Sequence, residues 1–185
     1  MKTPVLLHGT RWLYLLENEG WVFVSRRPPG APARIDAVNI VALHEDGERR
    51  RLVVIEEWRV ALRAWEFALP AGLVEPDESP ILSATRELAE ETGLALTWTG
   101  EISGPLASSA GLTDESFQFI FCGCAGTPAL APGVDGEKIR VHLCDRAACR
   151  DLLARNHSGA ALSGRLWPIL FSIAETGRIG AHVMS

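Results

Sequence analysis

The stretch Ala71–Leu94, AGLVEPDESPILSATRELAEETGL, concentrates acidic side chains around one predicted helix. Ser79 is a favourable N-cap residue, Pro80 suits the first helical position, and Gly93 suits the residue after the last turn. The sequence therefore predicts a helix over residues 80–92. Carboxylates at helical spacing repel one another and reduce stability. We expect a bound cation to offset this repulsion.

Three glutamates project along the same side of this helix. Glu87 and Glu91 are four residues apart, and Glu90 follows Glu87 by three. We expect a buried stripe beside them, made of Ile81, Ala84, Thr85 and Leu88. Upstream, LPAG (69–72) predicts a tight loop whose carbonyl oxygens can turn toward the glutamates. Carboxylate and carbonyl oxygens are the ligands of hard cations such as Mg²⁺ or Mn²⁺.

A glutamate-rich helix face is more often simply solvated, so the spacing of the fixed residues has to decide. From Gly72 the chain has five residues, then Glu78, seven residues, Arg86-Glu87-Leu88, one residue, Glu90-Glu91, one residue, and Gly93-Leu94. This pattern resembles the signature of the Nudix hydrolase family at every fixed position.

The resemblance implies an α/β (α+β) fold in which a mixed β-sheet lies between helices. It also implies hydrolysis of nucleoside diphosphates linked to another moiety, with Mg²⁺ or Mn²⁺ as cofactor. In this family pattern Glu87, Glu90 and Glu91 hold the metal, and Glu90 is in addition a catalytic candidate. The resemblance assigns the ordering of the preceding loop to Gly72, Glu78 and Arg86.

The flanks of the signature resemble one branch of the family, the ADP-ribose pyrophosphatases. ALPAGLVEPDES (68–79) is similar to a variant in which the carbonyl of Ala71 ligates a metal, and SSAGLTDES (108–116) resembles the later loop of that branch. Ala110 departs from the pattern, because the branch often has a proline there. The departure weakens ADP-ribose as the specific substrate but not nucleotide sugars as the class.

Other flanking segments suggest residues that bind substrate. GWVFVSR (20–26) resembles an N-terminal hairpin that supplies an aromatic platform for the base across a homodimer, here Trp21. EEWR (56–59) resembles a strand whose arginine, here Arg59, contacts a substrate phosphate; Arg63 and Glu66 are further substrate-binding candidates. Each has an ordinary alternative, because Trp21 can simply pack the hairpin and Arg59 can be a strand-edge charge.

The general base remains open among three acidic residues. GEKIRVHLC (136–144) resembles the late strand of the branch, whose leading glutamate, here Glu137, acts as base. Glu115 and Asp135 are alternatives, and either glutamate can instead be a solvated or turn-capping residue.

Composition excludes several classes of function. The chain has 185 residues, 47% of them hydrophobic, and a net charge of −5. An acidic chain offers no basic field for nucleic acid or anionic lipid. The N-terminal MKTPVLLHGTRW is not a convincing signal peptide, and no apolar run approaches the roughly 20 residues of a membrane span. The four cysteines predict structural thiols in a reducing cytoplasm.

The order of predicted elements divides the chain into two parts. Residues 1–33 predict a hairpin, which we expect to be the dimerisation element, followed by a stiff PPGAPA linker. Residues 34–185 predict the Nudix domain. Strands are expected at 35–43, 52–60, 95–102, 116–124 and 138–144, and further helices at 146–155 and 166–175. Interleaved strands and helices indicate an α/β or α+β class.

The leading functional hypothesis is a metal-dependent pyrophosphatase that cleaves ADP-ribose to AMP and ribose 5-phosphate. GDP-mannose or another sugar nucleotide is the alternative substrate within the same class. A non-hydrolytic nucleotide-sugar sensor is a different class of protein. In such a sensor the glutamates that correspond to Glu87, Glu90 and Glu91, here called the box glutamates, would normally be replaced by other residues.

Overall fold

The structure is a computed structural model that describes residues 3–129 and 139–184. A small antiparallel sheet comes first, with strands β1 (Val5–Gly9), β2 (Tyr14–Asn18) and β3 (Trp21–Ser25). The large mixed sheet contains β4 (Ala37–Asp46), β5 (Arg49–Arg59), β6 (Ala64–Ala68), β7 (Ala71–Leu73), β8 (Ala95–Ile102), β9 (Leu106–Ala107), β10 (Ser116–Ala125), β11 (Ile139–Cys144) and β12 (Ala161–Leu162). The helices are α1 (Pro80–Thr92), α2 (Arg146–His157) and α3 (Trp167–Thr176), and β13 (Arg178–Ile179) pairs with β14 (His182–Val183).

Helices cover both faces of the large sheet. Alternate residues of β4 point to opposite faces, and both sets are buried. On one face Val38 and Ile40 pack against Leu88 of α1, and on the other Val41 packs with Leu170 of α3. The predicted mixed sheet between helices is therefore confirmed.

The large sheet divides beneath α1. β4 and β5 pair directly only over residues 43–46 and 49–52. The first half of β4 then pairs with β7, while the second half of β5 pairs with β6 and β11. Helix α1 packs against both β7 and β11, so the acidic side of the helix lies over the point of division.

Helix α1 begins and ends where the sequence predicts. The Ser79 hydroxyl accepts a hydrogen bond from the amide of Leu82, and Gly93 ends the helix in the left-handed region with φ = 71°. The predicted buried stripe was partly wrong, because Ile81 and Thr85 are exposed. The buried residues of the helix are Ser83, Ala84, Leu88, Glu91 and Thr92.

Several other expectations need correction. LPAG is not a loop throughout, because its last two residues begin β7. The N-terminal hairpin has a third strand, β1, that the sequence pattern does not predict, and β6 is likewise absent from the predicted elements. The remaining predicted strands and helices are present with bounds that differ by at most a few residues.

The four cysteines are all free and buried. Burial raises the pKa of each thiol to about 12, so the thiolate needed for reaction or metal binding is disfavoured. Among the described residues, no helix combines the length and the apolar character needed to cross a membrane.

Candidate functional site

The carboxylate of Glu91 lies against the backbone of β7. Its Oε2 accepts a hydrogen bond from the amide of Ala71 at 3.0 Å, and the residue is only 8% exposed. The carbonyl of Pro70 accepts a hydrogen bond from the amide of Ile40 in β4. Backbone groups of successive residues in a strand point to opposite sides, so the amide and the carbonyl of Ala71 both point away from β4. The Ala71 carbonyl and the Glu91 carboxylate therefore face the same edge.

Glu87 lies one turn before Glu91 and covers the next residue of β7. A Cβ atom added at Gly72 would be 1.9 Å from the Glu87 carboxyl carbon. Any side chain at position 72 would therefore displace this carboxylate. Glycine at position 72 leaves the space that this carboxylate occupies.

Arg86 connects the helix to the loop before it. Its guanidinium donates to Glu78 (Nε to Oε1, 3.0 Å), to Glu87 (2.8 Å), to Glu90 (3.1 Å) and to the carbonyl of Leu73 (3.2 Å). These bonds raise the pKa of Arg86, with Glu78 the largest contributor. Arg86 thus neutralises two of the three box glutamates and ties residues 73–78 to α1.

Glu90 is the most exposed of the three box glutamates, with 39% of its side chain exposed compared with 15% for Glu87. Within residues 3–129 and 139–184, no three acidic, histidine or cysteine side chains are gathered closely enough to hold a metal ion. A cation held by all three glutamates would therefore need their carboxylates to lie closer together than they do in this structure.

Stability should depend on pH through Glu78. The hydrogen bond from Arg86, with that from Ser83, lowers the pKa of Glu78 from 4.5 to about 2. A carboxylate with a depressed pKa stabilises the fold above its unfolded value, and this contribution is lost as the pH falls from about 4.5 to about 2. We expect the free energy of unfolding of Glu78→Gln to fall less on acidification than that of the wild type.

Denaturant unfolding at about pH 6 and about pH 3 measures this difference. Glu75→Gln is the matched control, because Glu75 lies exposed in the same loop and is expected to retain the wild-type pH dependence. Identical acid dependence of Glu78→Gln and the wild type would refute the assignment.

A second charged cluster lies on β5 and β6. Arg59 donates from Nη1 to Glu57 at 2.7 Å and from Nε to Glu66 at 3.2 Å. Glu57 was not identified from the sequence. Its position in the strand is the feature that could have identified it. Glu57 follows Val53 by four residues in β5, so both side chains point to the same face, and Val53 packs with Leu88 of α1. Glu57 and Arg59 therefore share the α1 face of the sheet.

Arg63 does not join this cluster. It is exposed in the turn between β5 and β6, with φ = 51°, and makes no ion pair with any described residue. Its substrate-binding role stays a prediction without a contact to support it.

Trp21 lines an open pocket formed within one chain. The pocket has a volume of about 400 Å³ and lies between Phe23 of β3 and the segment 105–116. Trp21 is 63% exposed, so most of its ring surface is available. Ala110, where the family branch often has proline, also lines this pocket.

Glu115 holds the N-terminal sheet against the domain. Its carboxylate accepts from Arg26 and lies 3.5 Å from Arg165. Burial alone would raise the pKa of Glu115, but Arg26, together with Ser108 and Arg165, lowers it overall. Such a carboxylate accepts a proton poorly near neutral pH. Glu137 and Asp135 lie outside the described residues.

Comparison with known proteins identifies the family. Residues 33–161 match the family described as NUDIX domain. The chain belongs to this family. The Nudix chain is 33% identical over 113 residues to the ADP-ribose pyrophosphatase of Escherichia coli K12, which covers 57% of this chain and 54% of the relative. It is 40% identical over 84 residues to the ADP-ribose pyrophosphatase of Mycobacterium tuberculosis, covering 43% of this chain and 37% of that relative.

A putative nudix hydrolase 2 of Caenorhabditis elegans is 31% identical over 96 residues, covering 52% of this chain and 43% of the relative. The Nudix chain thus spans about half the length of the curated relatives it matches. A solved structure from a study of MutT from Aliivibrio salmonicida and Vibrio cholerae has a TM-score of 0.51 at 19% identity, covering 77% of this chain and 98% of that structure. This structural likeness supports the Nudix fold alone.

Proposed function

We propose that the protein is a divalent-cation-dependent pyrophosphatase that hydrolyses the diphosphate of a nucleoside diphosphate sugar. ADP-ribose is the first candidate, with AMP and ribose 5-phosphate as products. The observation that carries the proposal is the arrangement of Glu87 and Glu91 over the backbone of Ala71 and Gly72. The similarity to two proteins named ADP-ribose pyrophosphatase supports the choice of substrate.

The donor set at the α1–β7 junction fits a hard divalent cation. Glu87, Glu90 and Glu91 supply carboxylate oxygens, and the Ala71 carbonyl is directed to the same edge as Glu91. No soft thiolate takes part, because the four cysteines are buried elsewhere. An all-oxygen set favours Mg²⁺ or Mn²⁺.

Mg²⁺ or Mn²⁺, when bound, would neutralise the diphosphate and polarise its P–O bond. The protein's own residues then have three tasks. Arg86 and Glu78 hold the loop that follows β7, the strand that carries the Ala71 carbonyl. Arg59 contacts a substrate phosphate. Water attacks one phosphorus, the bridging P–O bond breaks, and the proton from water passes to a general base, for which Glu137 is the candidate.

A substrate panel tests the function. ADP-ribose, GDP-mannose, other sugar nucleotides and dinucleotides are incubated with Mg²⁺ or Mn²⁺, and released monophosphates are measured. We expect ADP-ribose to give the highest kcat/KM. A wild-type protein that hydrolyses none of these compounds would refute the proposal and favour a binding role.

The base is proposed to stack on Trp21 in a homodimer. The N-terminal sheet and the turn before β2 expose six apolar side chains, Val5, Leu6, Leu7, Leu13, Leu15 and Val22. A second copy of the chain would cover them, and the hairpin of one subunit would then border the site of the other. Trp21→Ala should raise KM by about 5- to 150-fold, because stacking contributes roughly 1–3 kcal/mol per base.

Trp12→Ala is the matched control for KM, since Trp12 is 61% exposed but does not line the Trp21 pocket. The two variants are compared by steady-state kinetics, and an equal KM in both would contradict base stacking. Sedimentation at micromolar protein concentration measures the oligomeric state, and a monomer at that concentration would contradict a site shared between two subunits.

A further inference from the structure

Two carboxylates flank the guanidinium of Arg59. Glu57 and Glu66 are direct cross-strand partners in the antiparallel β5–β6 pair. Like charges in directly opposed positions destabilise a sheet. Arg59 lies within hydrogen-bonding distance of both, so its single positive charge compensates the repulsion between them.

This cluster lies on the same face of the sheet as the box glutamates. Val53 packs against α1, and residues at intervals of two along a strand share a face, so Glu57 and Arg59 point to the α1 side. Glu66 shares that face because it is paired directly with Glu57. Beyond the cluster, toward the centre of the sheet, Ile55 and Ala68 continue the same face.

The contacts of Arg59 leave part of its guanidinium available. Nε donates to Glu66 and Nη1 donates to Glu57. Nη2 donates to no atom of the described residues, and 41% of the Arg59 side chain is exposed. Glu57, by contrast, has only 9% of its side chain exposed, so its carboxylate faces the protein and the guanidinium.

We propose that Glu57 is a positioning residue that holds Arg59 for contact with the substrate diphosphate. The proposal rests on the proposed function, and in particular on a phosphate contact by Arg59. A long arginine side chain loses rotamer freedom when it binds an anion. Glu57 and Glu66 fix the plane of the guanidinium before substrate arrives, so that this loss does not accompany binding. The Nη2 group is then the donor that remains for a phosphate oxygen.

The test compares Glu57→Gln with the wild type by two measurements. Steady-state kinetics with ADP-ribose and Mg²⁺ should show KM raised about tenfold, the effect of one charge-assisted hydrogen bond, with kcat within about twofold. Calorimetry with ADP should show Kd raised by a similar factor, and it does not depend on hydrolysis.

A double-mutant cycle separates positioning from a general structural role. If Glu57 acts through Arg59, then Glu57→Gln should have no further effect on KM or Kd in an Arg59→Ala background. Glu56→Gln is the matched control: Glu56 lies on the opposite face of β5, has 12% of its side chain exposed, and pairs with Arg140 and His142. It should leave both constants unchanged.

Each result distinguishes the inference from the function on which it rests. Absence of hydrolysis by the wild type would refute the proposed function, while the ADP measurement would still decide the role of Glu57. An active wild type with Kd and KM unchanged or lowered in Glu57→Gln would overturn the positioning role alone. Equal effects of Glu57→Gln with and without Arg59 would also overturn it.

Discussion

Glu91→Gln should reduce kcat by about 10²- to 10³-fold. The change removes one negative ligand from the proposed cation site, where charge stabilisation is worth several kcal/mol. It should also weaken the dependence of the rate on Mg²⁺ concentration. The effect is expected to be large because Glu91 is the most buried of the three box glutamates, so bulk water cannot readily replace its oxygen.

The fold should tolerate this substitution. Glutamine keeps a side-chain oxygen that can accept the hydrogen bond from Ala71. The free energy of unfolding of the metal-free protein should be unchanged or slightly higher, because one of several neighbouring carboxylates becomes neutral. Denaturant unfolding checks stability, and kcat is measured over a Mg²⁺ titration. Glu175→Gln, an exposed glutamate on α3, is the control, and a fully active Glu91→Gln enzyme would refute the metal assignment.

Glu137→Gln should lower kcat by about 10²–10⁴-fold while KM and metal affinity change little. This is the usual range for loss of a general base. The box carboxylates are unsuited to the role while they hold cations, so a separate proton acceptor is required. The prediction rests on the sequence, in which Glu137 follows the segment TPALAPGVDG.

Parallel variants at the competing acidic positions decide the assignment. Glu115→Gln should affect stability more than kcat, because the Glu115 carboxylate is bound to Arg26 and lies near Arg165. Asp135→Asn provides the third comparison. Values of kcat close to that of the wild type in Glu137→Gln, with a large loss in one of the others, would transfer the role to that residue.

Helix α1 shows what the sequence could predict. Ser79, Pro80 and Gly93 act locally, so the bounds of the helix were correct. The rotation of the helix about its axis was only partly correct, because helical spacing alone does not distinguish Ile81 from Glu91 as the buried neighbour of Leu88. The deciding interaction is the hydrogen bond from Ala71 to Glu91, which joins residues 20 positions apart.

Glu57 shows what the sequence could predict only in part. Alternation along the predicted strand already places Glu57 and Arg59 on one face and Glu56 on the other. The partners from other strands are decided by the tertiary fold, which pairs Glu57 with Glu66 of β6 and Glu56 with Arg140 of β11. The short strand β7 was missed for a related reason, because its pairing with β4 is decided by the tertiary fold.

The salt bridges at the base of the N-terminal sheet limit where the chain can be shortened. Arg27 binds Asp36, which has 1% of its side chain exposed, and also contacts Asp114. Removing residues 1–27 would leave the Asp36 carboxylate buried without its cation, at a cost of about 3–5 kcal/mol. That is a large share of the 5–15 kcal/mol by which a typical domain is stable. A unit suited to recombinant expression or domain grafting therefore has to begin before Arg27, although the family match begins only at residue 33.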